Sequence, residues 1–173
     1  MKKILLLFTA ASLFSLTACN NDDDTTTYVD NDTIAEVFEV DNVDFSSANI
    51  VNSITIPLNP TIYTSDVVLV YRLSGIDNGD DVWEPLPSTY NFTDGAKLQY
   101  YFDFSIRSIV VYLESNFDTS NETGYTQNQI FRVVIVPGYF SKGTATVDYK
   151  DYNAVMKAYG LTEKDIKTLS VKK

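Results

Sequence analysis

The chain has 173 residues, of which 45% are hydrophobic and 13% aromatic, and its 13 Lys and Arg against 23 Asp and Glu give a net charge of −10 at pH 7. This composition is too apolar for an intrinsically disordered protein and is sufficient for one hydrophobic core, while the negative charge disfavours nucleic acid as a partner. The sequence has no histidine and a single cysteine, which excludes an internal disulfide, a Ser-His-Asp or Cys-His catalytic set and the usual zinc ligands.

The first 18 residues have the layout of a secretory signal. Lys2 and Lys3 precede an apolar run that begins at Ile4 and gives way to small residues before Cys19. The run is shorter than the roughly 20 apolar residues that span a bilayer. We therefore predict a signal peptide at 1–18, whose removal would leave 155 residues (173 minus 18) with a net charge of −12 (11 minus 23).

Four residues, Leu16, Thr17, Ala18 and Cys19, form the sequence Leu-Thr-Ala-Cys. This sequence resembles the lipobox of bacterial lipoproteins, and the resemblance implies that Cys19 carries fatty acyl chains such as palmitate and becomes the first residue of the mature chain. Several acyl chains, at about 0.8 kcal/mol per buried methylene, would hold the protein at a membrane. The alternative is an ordinary signal peptide cleaved near Ala18, which would leave a free reactive thiol in a secreted protein.

Residues 19–32 are polar and acidic after Cys19, with five Asp and only Tyr28 and Val29 as apolar residues. We predict a flexible tether here, because the segment cannot bury enough surface to offset the entropy of ordering. Acidic residues directly after an acylated cysteine resemble the export signal of Bacteroidota lipoproteins, which implies display on the outer face of the outer membrane. A charged linker that only keeps the domain off the lipid explains the same residues.

Residues 33–173 are predicted to form a single β-sandwich domain. Apolar and polar residues alternate with a period of two in about eight segments, with a bulge expected near Asp41, and turn signals such as Asn59-Pro60 and Asp94-Gly95 separate them. Because no crossover helices intervene, we expect antiparallel sheets. An immunoglobulin-like sandwich is favoured over a closed barrel, since the strands are uneven in length and two have edges bounded by proline.

The C-terminal part of the chain changes to helical spacing. Apolar residues recur at Tyr152, Val155, Met156 and Tyr159, and Gly160 follows as a helix C-cap would. This predicts a short C-terminal helix that packs on the sandwich. A further helical turn, capped by the segment 162–165 and carrying Ile166 and Leu169, is predicted after it.

A loop is predicted from Ser74 to Asp81, because it contains two glycines and three Asp. Its carboxylates, on Asp77, Asp80 and Asp81, are candidate calcium ligands, but the residue order of an EF-hand is missing and a solvated turn is the alternative. The sequence also has no Gly-x-Gly-x-x-Gly or Gly-Lys-Ser/Thr motif. A glycosidase pair could be drawn from Glu84, Asp103 or Glu114, but nothing in the sequence sets two carboxylates at the separation that glycosidases require. We therefore expect no cofactor and no catalysis.

Aromatic residues are abundant, with 12 Tyr, 10 Phe and one Trp. Tyr101 and Tyr112 fall on the polar side of their strands, and Trp83 lies between the acidic loop and two prolines. Rings at such positions could stack on sugars or contact a protein partner. The alternative is that the tyrosines cover half-buried sheet faces and that Trp83 belongs to the core.

These observations together predict a non-catalytic, lipid-anchored lipoprotein of the cell envelope, whose β-sandwich serves adhesion, scaffolding or partner binding. The alternative function is that of a carbohydrate-binding surface lipoprotein in a glycan-uptake system, similar in setting to the accessory surface lipoproteins of Bacteroidota. In both cases the membrane is reached through the N-terminal lipid, the partner is an unknown protein or glycan, and nucleic acid is not expected.

Overall fold

The computed structural model describes residues 34–46, 51–138, 146–169 and 171. The predicted signal peptide, the lipobox with Cys19 and the tether at 19–32 therefore lie outside the described residues.

The described residues form nine strands and two helices. The strands are β1 Glu36–Val43, β2 Val51–Pro57, β3 Val67–Asp77, β4 Asp80–Pro85, β5 Ser88–Asn91, β6 Lys97–Phe104, β7 Ser108–Ser115, β8 Gln129–Val136 and β9 Ile166–Leu169. The helices are α1 Thr123–Thr126 and α2 Tyr152–Ala158, and short 3₁₀ turns lie at Thr93–Gly95 and Glu163–Asp165. The residues are thus mostly in strands, as predicted.

The strands form two sheets, which we name sheet A and sheet B. Sheet A has the strand order β4-β3-β8-β1-β9, and sheet B has the order β2-β7-β6-β5. All neighbouring strands are antiparallel except β1 and β9, which are parallel. The prediction of an all-β sandwich is therefore confirmed, with nine strands instead of eight among the described residues.

The core lies between the two sheets. Phe45, Tyr100 and Phe131 meet edge to face at its centre, with ring centroids 6.0 to 6.2 Å apart. Each such aromatic pair contributes about 0.5–1.5 kcal/mol beyond the burial of its area. The alternation predicted from the sequence decides which residues enter this core, since every second residue of a strand points to the same face.

The outer face of sheet A is covered by α2, which adds a third layer. Tyr152, Val155 and Met156 of this helix pack on apolar residues of β1, β3 and β8 that point away from the core. The helix begins where predicted, with the side chain of Asp151 accepting a hydrogen bond from the Ala154 N–H at 3.1 Å. Because β8 lies between the core and α2, both of its faces are buried, which explains why six of its eight residues are apolar.

The expected bulge and the expected loop have different outcomes. The β1–β8 register shifts between Val40 and Val43, and Asn42 has a φ of 53°, so the bulge is confirmed. The loop predicted from Ser74 to Asp81 is wrong, because β3 continues to Asp77 and β4 begins at Asp80. Asn78 and Gly79 form the turn, with φ of 51° and 97°, as the primed turns of two-residue hairpins require.

The helical turn predicted to carry Ile166 and Leu169 is also wrong. A 3₁₀ turn with a capping box at Thr162 and Asp165 does form, but Ile166 then begins β9. Residues Ile166–Leu169 pair with Val37–Val40, so they supply hydrogen bonds to the edge of β1. This long-range pairing overrides the local helical spacing.

Candidate functional site

The two outer faces of the sandwich differ in accessibility. Sheet A is covered by α2, whereas every outward residue of sheet B is exposed or half-buried. We name this surface the sheet B outer face; its residues are Val51, Ser53, Thr55 and Pro57 of β2, Thr89 and Asn91 of β5, Lys97, Gln99, Tyr101 and Asp103 of β6, and Ser108, Val110, Tyr112 and Glu114 of β7.

Tyr101 and Tyr112 meet at the middle of the sheet B outer face. They are directly opposite in the β6–β7 register, and their rings are stacked, with centroids 4.8 Å apart and planes inclined by 11°. Three of the inward neighbours of the two residues, Tyr100, Val111 and Leu113, are fully buried and fix the strands beneath the rings. The structure therefore brings together two of the three aromatic residues singled out from the sequence. We name them the tyrosine pair.

Each tyrosine is joined to a carboxylate on the neighbouring strand. The Tyr112 hydroxyl donates to Asp103 Oδ2 at 3.0 Å, and the Tyr101 hydroxyl is hydrogen-bonded to Glu114. Glu114 also accepts a hydrogen bond from Gln99 Nε2 at 3.3 Å. These diagonal contacts hold two rings and two carboxylates in one arrangement, which limits the freedom that a ligand would otherwise have to remove.

The hydroxyls of the tyrosine pair remain protonated at neutral pH. The hydrogen bond to Asp103 raises the pKa of Tyr112, and partial loss of hydration together with the hydrogen bond to Glu114 raises the pKa of Tyr101. The negative charge at the centre of the face therefore comes from the two carboxylates alone. Chemically, the arrangement offers aromatic surface beside anionic hydrogen-bond acceptors.

Trp83, the third predicted aromatic residue, lies on the other side of the molecule. Its ring packs on the guanidinium of Arg132, whose Cζ is 4.1 Å from the ring centroid, and on Tyr152 of α2 at 5.5 Å. Trp83 also borders a shallow depression of about 430 Å³ that is lined by Asp81, Val82, Lys150, Asp151, Tyr152 and Asn153. Trp83 thus packs beneath α2 and shares no site with the tyrosine pair.

Arg132 is a buried residue for which the sequence analysis gave no role. It is 5% exposed; Nε lies 3.0 Å from Glu39 Oε2, and Nη1 and Nη2 each lie 2.9 Å from the carboxylate of Glu163. Nη1 also donates to the Tyr152 hydroxyl at 2.7 Å. These contacts join β1, α2 and the C-terminal 3₁₀ turn to β8, so Arg132 serves the architecture. Its only sequence signal is a cation within an otherwise apolar strand.

Arg72 is a second buried guanidinium, and it points into the core. Nε donates to Gln129 Oε1 at 2.8 Å, Nη1 donates to the Tyr90 hydroxyl at 3.1 Å, and Cζ lies 4.8 Å from the Tyr100 ring centroid. The Tyr90 hydroxyl in turn donates to Glu84, the cross-strand neighbour of Arg72. The positive charge of Arg72 is thus compensated within the fold, because the Tyr90 hydroxyl links its guanidinium to the carboxylate of Glu84.

The three predicted calcium ligands flank the turn of the β3–β4 hairpin and are exposed. Asp77 pairs with Asp80 across the turn, and Asp77 Oδ1 accepts a hydrogen bond from Asn78. Within residues 34–46, 51–138, 146–169 and 171, no group of three or more His, Cys, Asp or Glu side chains is close enough to hold a metal ion. The calcium hypothesis for Asp77, Asp80 and Asp81 therefore gains no support.

An apolar cleft of about 540 Å³ lies between the sheets at the β9 and β2 edges, and its lining includes Phe38, Leu58, Ile62 and Leu169. The charged groups at its mouth include Lys167 and Glu36, which form an ion pair of 2.8 Å with each other. The lining of the cleft also includes polar residues such as Asn59, Thr61 and Asp66, but the sheet B outer face sets two rings beside two carboxylates in one defined arrangement. The sheet B outer face is therefore the stronger candidate site.

No family model matches this sequence, and neither a curated protein nor a solved structure matches it. Among the described helices, none has the length and apolar character needed to cross a membrane.

Proposed function

We propose that this chain is a non-catalytic, lipid-anchored lipoprotein of the bacterial cell envelope, whose β-sandwich binds a partner through the sheet B outer face. Cys19 holds the chain at the outer membrane through its acyl chains, and the acidic tether at 19–32 carries the sandwich away from the lipid on the cell surface. The binding supports adhesion or scaffolding.

One observation carries the binding half of this proposal. The tyrosine pair and its two carboxylates lie on an outer face whose residues are all exposed or half-buried, while the opposite outer face is occupied by α2. Aromatic side chains fixed by hydrogen bonds are low-entropy contact groups, because few rotamers are lost when a partner is bound.

The anchor half is supported by the N-terminal sequence. A basic start, an apolar run, small residues at positions 17 and 18 and one cysteine at the junction agree with each other. The absence of histidine from the whole sequence supports a non-catalytic role. The strongly negative net charge would oppose adsorption to anionic headgroups, so the lipid is the attachment that remains.

The anchor is tested by metabolic labelling in the native bacterium with an alkyne fatty acid. We expect the full chain to acquire the label and the Cys19→Ala variant to remain unlabelled, and we expect protease added to intact cells to digest the labelled protein. An unlabelled wild-type chain would overturn the lipid anchor. A labelled chain that resists protease until the cells are broken would overturn display on the outer surface.

A further inference from the structure

We infer that the ligand of the sheet B outer face is an uncharged glycan chain, recognised through the tyrosine pair together with Asp103 and Glu114. This inference rests on the proposed function, because it names the class of partner that the same surface takes.

The first step is the surface that the rings present. Tyr101 and Tyr112 stack on each other through one face each, so each ring keeps a second face directed away from the pair. The face of an aromatic ring carries partial negative charge and attracts polarised C–H groups. A pyranose ring has such C–H groups on its faces and hydroxyl groups around its edge, so it can pack on an aromatic ring without losing its hydrogen bonds.

The second step is the set of hydrogen-bond acceptors beside the rings. Asp103 accepts a hydrogen bond from the Tyr112 hydroxyl, and Glu114 accepts hydrogen bonds from Gln99 and from the Tyr101 hydroxyl, while an ionised carboxylate has about four acceptor positions. The remaining positions are suited to hydroxyl donors, with which they form short charge-assisted hydrogen bonds. Neighbouring hydroxyls on a sugar match this arrangement.

The third step is charge, which selects among glycans. Asp103 and Glu114 lie at the centre of the face, Lys97 is at its margin, and the whole chain has a net charge of −10. Uronic acids and sulfated sugars would meet carboxylates where they need cations, and so they would be repelled. Uncharged polysaccharides carry no such penalty.

The fourth step separates a glycan from a protein partner. Apart from the tyrosine pair, the apolar residues of the face are Val51, Pro57 and Val110, and these lie on β2 and β7 toward one side. A stable protein interface needs a broad apolar centre that excludes water, whereas here the tyrosine pair is flanked by the carboxylates of Asp103 and Glu114. A second copy of the chain bound through this face would bring four carboxylates into one interface, where they would repel each other.

The size of the face favours a chain of sugars over a single one. Its four strands are spaced about 4.8 Å apart, so the sheet is about 14 Å wide between its outer strands. A glycan lying across the strands would contact hydroxyl and amide groups on both sides of the tyrosine pair, on Ser53, Thr55, Thr89 and Gln99.

The inference is tested by affinity electrophoresis of the full acylated chain, extracted in a non-ionic detergent, through gels that contain neutral polysaccharides (xylan, mannan, galactan, starch, mixed-linkage glucan) or acidic ones (polygalacturonate, alginate). We expect at least one neutral polysaccharide to retard the protein and the acidic ones to leave its mobility unchanged. The double variant Tyr101→Ala/Tyr112→Ala should weaken the retarding affinity at least tenfold. Asp103→Asn should weaken it by a smaller factor, because it removes the charge but retains an acceptor.

Two controls keep the outcome interpretable. Tyr149→Ala removes another exposed tyrosine, at a site outside the sheet B outer face, and should leave the retardation unchanged. Trp83→Phe tests the depression beneath α2, and circular dichroism checks that each variant folds. Retardation that Trp83→Phe abolishes and the tyrosine variants leave intact would overturn the assignment of the glycan to this face.

A failure of the inference is distinguishable from a failure of the proposed function. Suppose that no neutral polysaccharide retards the chain but a photoreactive residue at Thr55 forms protein adducts in intact cells. The glycan assignment would then be overturned, while the proposed binding function of the sheet B outer face would be supported. If neither retardation nor adducts are found, both are wrong. Retardation by acidic polysaccharides alone would overturn the argument from charge.

Discussion

The Tyr112 hydroxyl donates a 3.0 Å hydrogen bond to Asp103, a carboxylate on the neighbouring strand, and the ring of Tyr112 stacks on Tyr101. This relationship fixes an aromatic surface beside an anion on a face of the sandwich that the described helices leave open. The proposed function depends on it, and it has a measurable electrostatic consequence.

The hydrogen bond from Tyr112 is expected to respond to the charge of Asp103. Since this bond raises the pKa of Tyr112, we expect Asp103→Asn to lower that pKa toward its ordinary value of 10.0. An NMR titration of ring-labelled tyrosine measures the change. Asp81→Asn, which removes an exposed carboxylate from the β3–β4 hairpin, is the control and should leave the titration of Tyr112 unchanged. An unaltered pKa in Asp103→Asn would contradict the contact.

The stability of the fold is expected to decrease in alkaline solution. Burial raises the pKa of Tyr71 and of Tyr100 above the ordinary value of 10.0 that each would have in the unfolded chain. As pH rises, the tyrosines of the unfolded chain therefore lose their protons before those of the folded protein. The contribution of the two residues to the free energy of unfolding is complete below pH 10 and falls as pH rises toward their folded pKa values. Urea unfolding at a series of pH values from 8 upward measures this slope. Tyr100→Phe should make this slope shallower.

The contacts of Arg132 with Glu39, Tyr152 and Glu163, which we name the Arg132 cluster, are expected to require a guanidinium group. Arg132→Lys keeps the positive charge but loses the two-pronged contact with Glu163, so we expect the free energy of unfolding to fall by about 2 kcal/mol. Lys167→Ala removes an exposed ion pair with Glu36, and a change of at most about 1 kcal/mol is expected there. Chemical denaturation of both variants provides the measurement. Equal losses in the two variants would show that the buried cluster has no special role.

Alanine substitutions of the two glycines in the β3–β4 hairpin are expected to differ in their effect on stability. Gly79 has a φ of 97°, so Gly79→Ala should cost about 1–2 kcal/mol of folding free energy although no atom lies within 4 Å of the added methyl. Gly75 lies in the same hairpin with equally open space and without a positive φ, so Gly75→Ala should change stability by less. Thermal unfolding distinguishes the two. A larger loss at position 75 would contradict the turn geometry.

The alternation of apolar and polar residues was sufficient to predict most strands and the side on which the tyrosine pair lies. Leu98 and Tyr100 point inward, and Tyr101 therefore points outward, whatever the partner strand is. The stacking of Tyr101 on Tyr112 was not predictable, because it depends on the register between β6 and β7. A shift of one residue in that register would have moved Tyr112 to the other face.

Long-range contacts account for what the sequence analysis missed. Arg132 contacts Glu39, 93 residues away, and Glu163, 31 residues away, so no local sequence pattern could predict the Arg132 cluster. Residues Ile166–Leu169 form a strand only because β1 offers an unpaired edge. In contrast, Asn78-Gly79 was a readable hairpin signal, since this dipeptide suits the two positive φ angles of a type I′ turn.

The most direct test of the binding surface is site-specific photocrosslinking in intact cells of the organism that produces the protein. A photoreactive amino acid is placed at Thr55, an exposed position on the sheet B outer face, or at Thr168, an exposed position on β9 of sheet A. We predict covalent adducts from position 55, to glycan or to protein, that disappear when Tyr101→Ala and Tyr112→Ala are added, and only background from position 168. Adducts from position 168 alone, or none from position 55, would contradict the account.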